Sequence, residues 1–216
     1  AVLEKVFLYL CFHSSNIINT STISKELDGT PRATIDNYIE FLERSNLIYR
    51  SMPVELAGKT ILKAVPKIYI SDAAIRNAVL MQNIDDMISD PNEMGLIAET
   101  AVYKHLASFY YPSQAKVGYY RKPGQISKEI DIVVDYPTGK ILIEVKYREN
   151  PVIKADDAIA ELANSEKDKI LAAIVVTKTS DSYGILPYKS KVPVYMIPAY
   201  AFLYLLGHSE EKGYKE

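Results

Sequence analysis

Apolar positions in the first 80 residues recur mostly at helical spacing. Val2, Val6, Leu8 and Leu10 predict an opening helix with a mostly apolar body. In STISKELDG, residues 21–29, Ser21 or Thr22 is the expected N-cap of a short helix carrying Ile23 and Leu27, and Gly29 is its stop. A third helix is expected from TPRATIDNYIEFLERSNLI. Thr30 is a natural cap there, Pro31 a natural first-turn residue, and Ile35, Tyr38, Ile39 and Leu42 form the stripe. LIYRSM and KIYISD then read as two short β runs on either side of the Gly58 region. Helix, helix, turn, helix and hairpin is the order of a winged helix-turn-helix domain, here residues 1–80.

Residues 81–93, MQNIDDMISDPNE, are mostly polar and acidic and read as a linker. Residues 94–216 form a second predicted domain. A helix over 94–109 has Leu96, Ile97, Ala101, Val102 and Leu106 on its apolar face. The pattern then changes to strands in VGYYR, EIDIVVDY and KILIEVKY. A helical segment over 154–168 follows, then buried strands in ILAAIVVTK and VPVYMIPA, and a last short helix in AYAFLYLLG. The predicted class is α/β with a mixed sheet. The closing HSEEKGYKE reads as a frayed charged tail.

Charges interrupt two of these strands. Strand side chains alternate faces, so Glu144 and Lys146 share a face with Leu142, and Asp131 shares one with Val133. The turn DYPTGK, residues 135–140, makes the two strands expected hairpin partners, with Asp131 across from the region of Glu144 and Lys146. Two converging carboxylates need a counter-charge when buried, and Mg²⁺ suits both carboxylate oxygens and substrate phosphates. A neighbouring lysine could activate water or stabilise charge on a phosphate. Spacing leaves a second reading equally open, in which Asp131 marks a strand start and Glu144 and Lys146 pair on a solvent-facing edge. Glu99, alone in LIAETA, is either a third acid aimed at the same cluster or a solvent-face glutamate. Glu129 could assist Asp131.

ID, a hairpin and EVK resemble the motif of the PD-(D/E)XK nuclease superfamily. Asp131 matches the motif aspartate, Glu144 the second acid, Lys146 the lysine and Glu99 the acid on the first core helix. Ile130 stands where the motif proline would be. The resemblance implies a restriction-endonuclease-like domain in which Glu99, Asp131, Glu144 and Lys146 are catalytic and the three acids hold Mg²⁺ or Mn²⁺. GLIAETAVYKHL, YYRKPGQISKEIDIVVD and GKILIEVKYR together resemble the C-terminal domain of a family of archaeal and bacterial AAA-type P-loop ATPases. There a winged helix precedes the nuclease-like domain, and TISKELDGTPRATIDNYIEFLERSNLIYR resembles that part. The sequence holds no GxxxxGK[ST] phosphate loop, so these residues are not expected to bind ATP. The implied partner is an ATPase module of the same polypeptide, N-terminal of Ala1.

Composition narrows this picture modestly. With 216 residues, 48% of them apolar, the chain can build a sizeable core, and its formal charge of −2 excludes a uniformly basic nucleic-acid coat. The single cysteine, Cys11, reads as a small buried hydrophobe and fits a reducing, cytoplasmic setting. The opening apolar run spans about ten residues, short of what a bilayer requires, so no membrane partner is expected. His13, His105 and His208 lack zinc spacing.

DNA or another nucleic acid remains an expected partner. The candidate recognition helix carries Arg32 and Arg44 against Asp36, Glu40 and Glu43, a poor charge for meeting phosphates. Arg32, Thr34 and Asn37 could still reach bases or backbone, with Arg50, Lys59, Lys63 and Lys67 on the hairpin and Arg121, Lys122 and Lys128 in the second domain. Two functions stand side by side: a Mg²⁺-dependent phosphodiester-cleaving nuclease attached to an ATPase, or an inactive regulatory module that binds nucleic acid or protein for it.

Overall fold

The structure, a computed structural model, describes residues 1–56, 61, 64–122, 124, 128–166, 168–187 and 189–213. It shows an α/β chain. Two compact units divide it: Ala1–Met52 with Lys63–Lys104, and Pro53–Leu62 with His105–Glu216. Lys59 and Lys63 lie outside the described residues.

In the first unit, helix α1 (Val2–Phe12) leads through the two-residue strand β1 (Asn16–Ile17) to α2 (Thr20–Glu26) and α3 (Arg32–Arg44). Strands β2 (Ile48–Pro53) and β3 (Lys67–Ile70) follow, antiparallel with Ile48 opposite Ile70, and β1 pairs with the other edge of β3. The cap of α2 is Asn19, not Ser21 or Thr22: its side chain accepts from the Ser21 N–H at 3.0 Å. Gly29 ends the turn after α2 with φ +77, a conformation that costs glycine little. On α3 the buried residues are Ile35, Ile39 and Leu42, the helical stripe read from the sequence. They pack with Val6, Leu10, Ile23, Ile48, Ile68 and Ile70 in one apolar core.

Residues 81–93 are more structured than a linker reading requires. After α4 (Ala73–Val79), Asn83 caps α5 (Ile84–Ser89), and Pro91 opens α6 (Pro91–Tyr110). The division between the units falls within α6, between Lys104 and His105. Buried Arg76 on α4 donates to the Cys11 carbonyl at 2.9 Å and pairs with Glu93 at 2.6 Å, which ties α1, α4 and the start of α6 together.

The second unit holds a mixed sheet. Strands β4 (Lys116–Arg121), β5 (Glu129–Tyr136) and β6 (Gly139–Lys146) form an antiparallel run, β4 against β5 and β5 against β6. After α7 (Ala158–Leu162), β7 (Ile170–Thr177) lies parallel to β6, and β9 (Val194–Pro198) lies parallel to β7. The two-residue strand β8 (Gly184–Ile185) pairs antiparallel with β9. The parallel step needs a crossover, which α7 supplies. That helix is shorter than the 154–168 segment expected: the Lys154 N–H bonds the Asp157 carboxylate at 2.8 Å before it, and Asn164 bonds back to the Ala160 carbonyl after it. Conversely, α8 (Ala199–Glu211) runs through His208 into the acidic stretch expected to fray.

Candidate functional site

Asp131 sits where β5 departs from regular alternation. Gly118 of β4 lies opposite Val133, and Tyr120 lies opposite Ile130. Between these pairs β4 has one residue, Tyr119, and β5 has two, Asp131 and Ile132. Such a bulge re-aims a side chain. It also explains why Ile130 and Val133, three apart, share one core cluster with Tyr120 and Leu142.

On its other edge β5 pairs with β6, from Tyr136 opposite Gly139 to Ile132 opposite Ile143. Beyond that pair the Val145 N–H donates to Asp131 Oδ2 at 2.8 Å. The carboxylate thus serves as acceptor for a main-chain group flanked by Glu144 and Lys146. Glu144 is only 8% exposed, and Lys146 Nζ lies 2.5 Å from its Oε1. Burial alone would lower the Lys146 pKa. The charge and hydrogen bond of Glu144, then the charge of Asp131, outweigh it and hold the pKa above its ordinary value. Lys146 is therefore a persistent cation, suited to stabilising negative charge and poorly suited to taking up a proton.

The structure brings Asp131, Glu144 and Lys146 together in the second unit. Glu99 belongs to the first unit, where Lys67 Nζ lies 2.7 Å from its Oε1 and the Tyr69 hydroxyl donates to the same oxygen at 2.8 Å. Tyr69 stacks on Tyr103 with ring centroids 4.2 Å apart. Glu129 pairs across the strands with Arg121, Nη2 to Oε2 at 2.5 Å. Among the described residues, no group of three or more His, Cys, Asp or Glu side chains is arranged to hold a metal ion.

The cations proposed for phosphate contact are distributed unevenly. Arg32 and Asn37 are exposed and Thr34 is half-buried. Lys67 turns inward, 3% exposed, to meet Glu99. Arg50 Nε donates to Glu43 at 2.6 Å, while Lys128 and Lys122 lie 2.7 and 3.7 Å from Glu161. Arg121 is held by Glu129. The contribution of the Val145 N–H had no signal in the sequence, because every residue but proline carries that donor.

Residues 1–86 match a family described as a domain of unknown function, DUF8612. Residues 94–200 match a second, DUF4143, also a domain of unknown function. No curated protein matches the chain. Among the described residues, no helix is long and apolar enough to cross a membrane.

Proposed function

We propose that the second unit is a restriction-endonuclease-like domain that cleaves phosphodiesters with Mg²⁺ or Mn²⁺, that the first is a winged helix-turn-helix, and that both serve an AAA-type ATPase module of the same polypeptide. One observation carries the reading: Asp131 Oδ2 is bonded to the main chain between Glu144 and Lys146. Asp131 of β5 thereby meets Glu144 and Lys146 of β6 at one bulged strand end. The mixed sheet, with α6 before it and α7 in the crossover, is compatible with that domain type.

Asp131 and Glu144 offer hard carboxylate oxygens, and Mg²⁺ is commonly held by one or two carboxylates together with substrate phosphates. The donor chemistry fits, and these two residues would hold the ion. Once bound, the ion would polarise the phosphate and stabilise the oxygens of attack and departure. Asp131 keeps its orientation through the Val145 N–H. Lys146, held cationic, would bind a phosphate oxygen and stabilise charge developing on it. Glu99 is supported less well as a third ligand, because Lys67 and Tyr69 already satisfy its Oε1.

A second reading has its own support. Arg50, Arg121, Lys122 and Lys128 each pair with a carboxylate of this chain, which lowers the attraction for a nucleic-acid backbone. That favours a regulatory module docking on protein. The deciding assay incubates the chain with duplex DNA, single-stranded DNA and RNA in Mg²⁺ or Mn²⁺, beside Asp131→Asn and Glu144→Gln. Cleavage by the wild type that both substitutions abolish is the expected outcome. An intact set of substrates would sink the nuclease reading and leave the docking module.

A further inference from the structure

A cation in contact with Glu144 in this structure is part of the chain. Glu144 is buried, and Lys146 Nζ lies 2.5 Å from its Oε1. The two are two residues apart on β6, so the strand itself fixes the contact. A carboxylate in such a place requires a positive partner, and leaving it without one is costly. A divalent ion binding Glu144 would compete with the ammonium for the same carboxylate, and their charges repel. Movement of Lys146 away from Glu144 is in turn favoured only where the ammonium finds another anion.

We propose that Lys146 is a built-in counter-ion that withholds Glu144 from divalent cations until an anionic phosphodiester draws the ammonium away. The proposal rests on the reading of Asp131 and Glu144 as a cation site. It makes cation and phosphodiester binding cooperative. The anion takes Lys146, the freed carboxylate takes the cation, and by linkage each raises the other's affinity by the same factor. The isolated domain then binds metal weakly, and the metal is recruited with its substrate.

The test is calorimetric titration of Mn²⁺ into the full chain, with Lys146→Met, Lys146→Gln and Glu144→Gln variants beside it. Methionine keeps the apolar stem and glutamine keeps a donor for Glu144, so one variant can stand in if the other fails to fold. Thermal unfolding shows which are folded. A phosphorothioate-linked thymidine dinucleotide, which resists cleavage, is the anionic probe. The folded lysine variant is expected to bind Mn²⁺ about tenfold or more tighter than wild type. The dinucleotide is expected to tighten Mn²⁺ binding to wild type and to have less effect on the variant. Equal or weaker Mn²⁺ binding by both lysine variants, with wild-type binding abolished by Glu144→Gln, would overturn the counter-ion proposal alone. Absence of Mn²⁺ binding by every protein, or binding that survives Glu144→Gln, would overturn the cation-site reading with it.

Discussion

The Val145 N–H donates to the Asp131 carboxylate at 2.8 Å, so Asp131 has a structural duty besides any chemistry. Asparagine keeps an acceptor of the same shape, and alanine removes it. Asp131→Ala should lower stability by about 1–2 kcal/mol, the cost of stranding a main-chain donor. Asp131→Asn should cost less than half of that while losing Mn²⁺ affinity. Urea unfolding and Mn²⁺ titration of the pair separate the two roles. Equal stability losses for both substitutions would contradict this division.

Lys67 and Glu99 pair at 2.7 Å with side chains 4% and 16% exposed. Removing one partner takes the paired charge away from the other in a largely buried place. Glu99→Ala is expected to destabilise the chain by about 3 kcal/mol, whereas the double change Lys67→Met with Glu99→Leu should cost less, about 1–2 kcal/mol, most of it from the acceptor that the Tyr69 hydroxyl loses. Urea midpoints followed by circular dichroism give the comparison. A single variant as stable as wild type would show that the pair is solvated in solution.

Gly139 adopts φ +153, and a Cβ there would meet the Lys169 carbonyl oxygen at 2.6 Å and the Leu171 side chain at 2.8 Å. The Lys140 N–H bonds that same carbonyl at 2.8 Å, so β6 cannot shift aside without losing a bond to the chain entering β7. Gly139→Ala should cost roughly 2–3 kcal/mol through overpacking and backbone strain. Thermal denaturation would reveal it. An unchanged midpoint would mean that this approach relaxes freely.

Burial pushes the Cys11 thiol from its ordinary 9.0 up to about 11, against a smaller lowering by Arg76. A raised pKa means that the folded state resists ionisation. The associated stability is complete below pH 9.0 and is lost as pH rises toward about 11. Native protein at pH 8 should leave Cys11 unreactive toward a thiol-specific disulfide reagent, with reaction appearing on unfolding. Cys11→Ala should flatten part of the alkaline decline in stability. Rapid labelling of the folded chain would show that α1 opens readily.

Much of the first unit is legible in its residues. Ile35, Ile39 and Leu42 announce α3 through a local 3.6-residue period that survives in the fold. Five strands of the second unit, all but the two-residue β8, and the closeness of Asp131 to the segment around Val145 also follow from apolar runs, alternation and the Pro137–Thr138 turn. The bulge at Asp131 does not, because an extra residue in one strand exists only relative to its neighbour, and β4 decides it. The short α7 and the long α8 escaped periodicity because side chain to main-chain bonds and tertiary contacts set where helices stop. Charge identity was written in the sequence, but charge partnership was not. Lys67 reads as a candidate nucleic-acid contact until β3 turns it inward to Glu99, and Glu144 reads equally as a metal-binding acid or a solvent-facing edge carboxylate until the fold buries it on a strand that β7 pairs beside. Local periodicity is a property of the chain alone. Burial and pairing are properties of residues far apart in sequence, so only the tertiary structure could decide them.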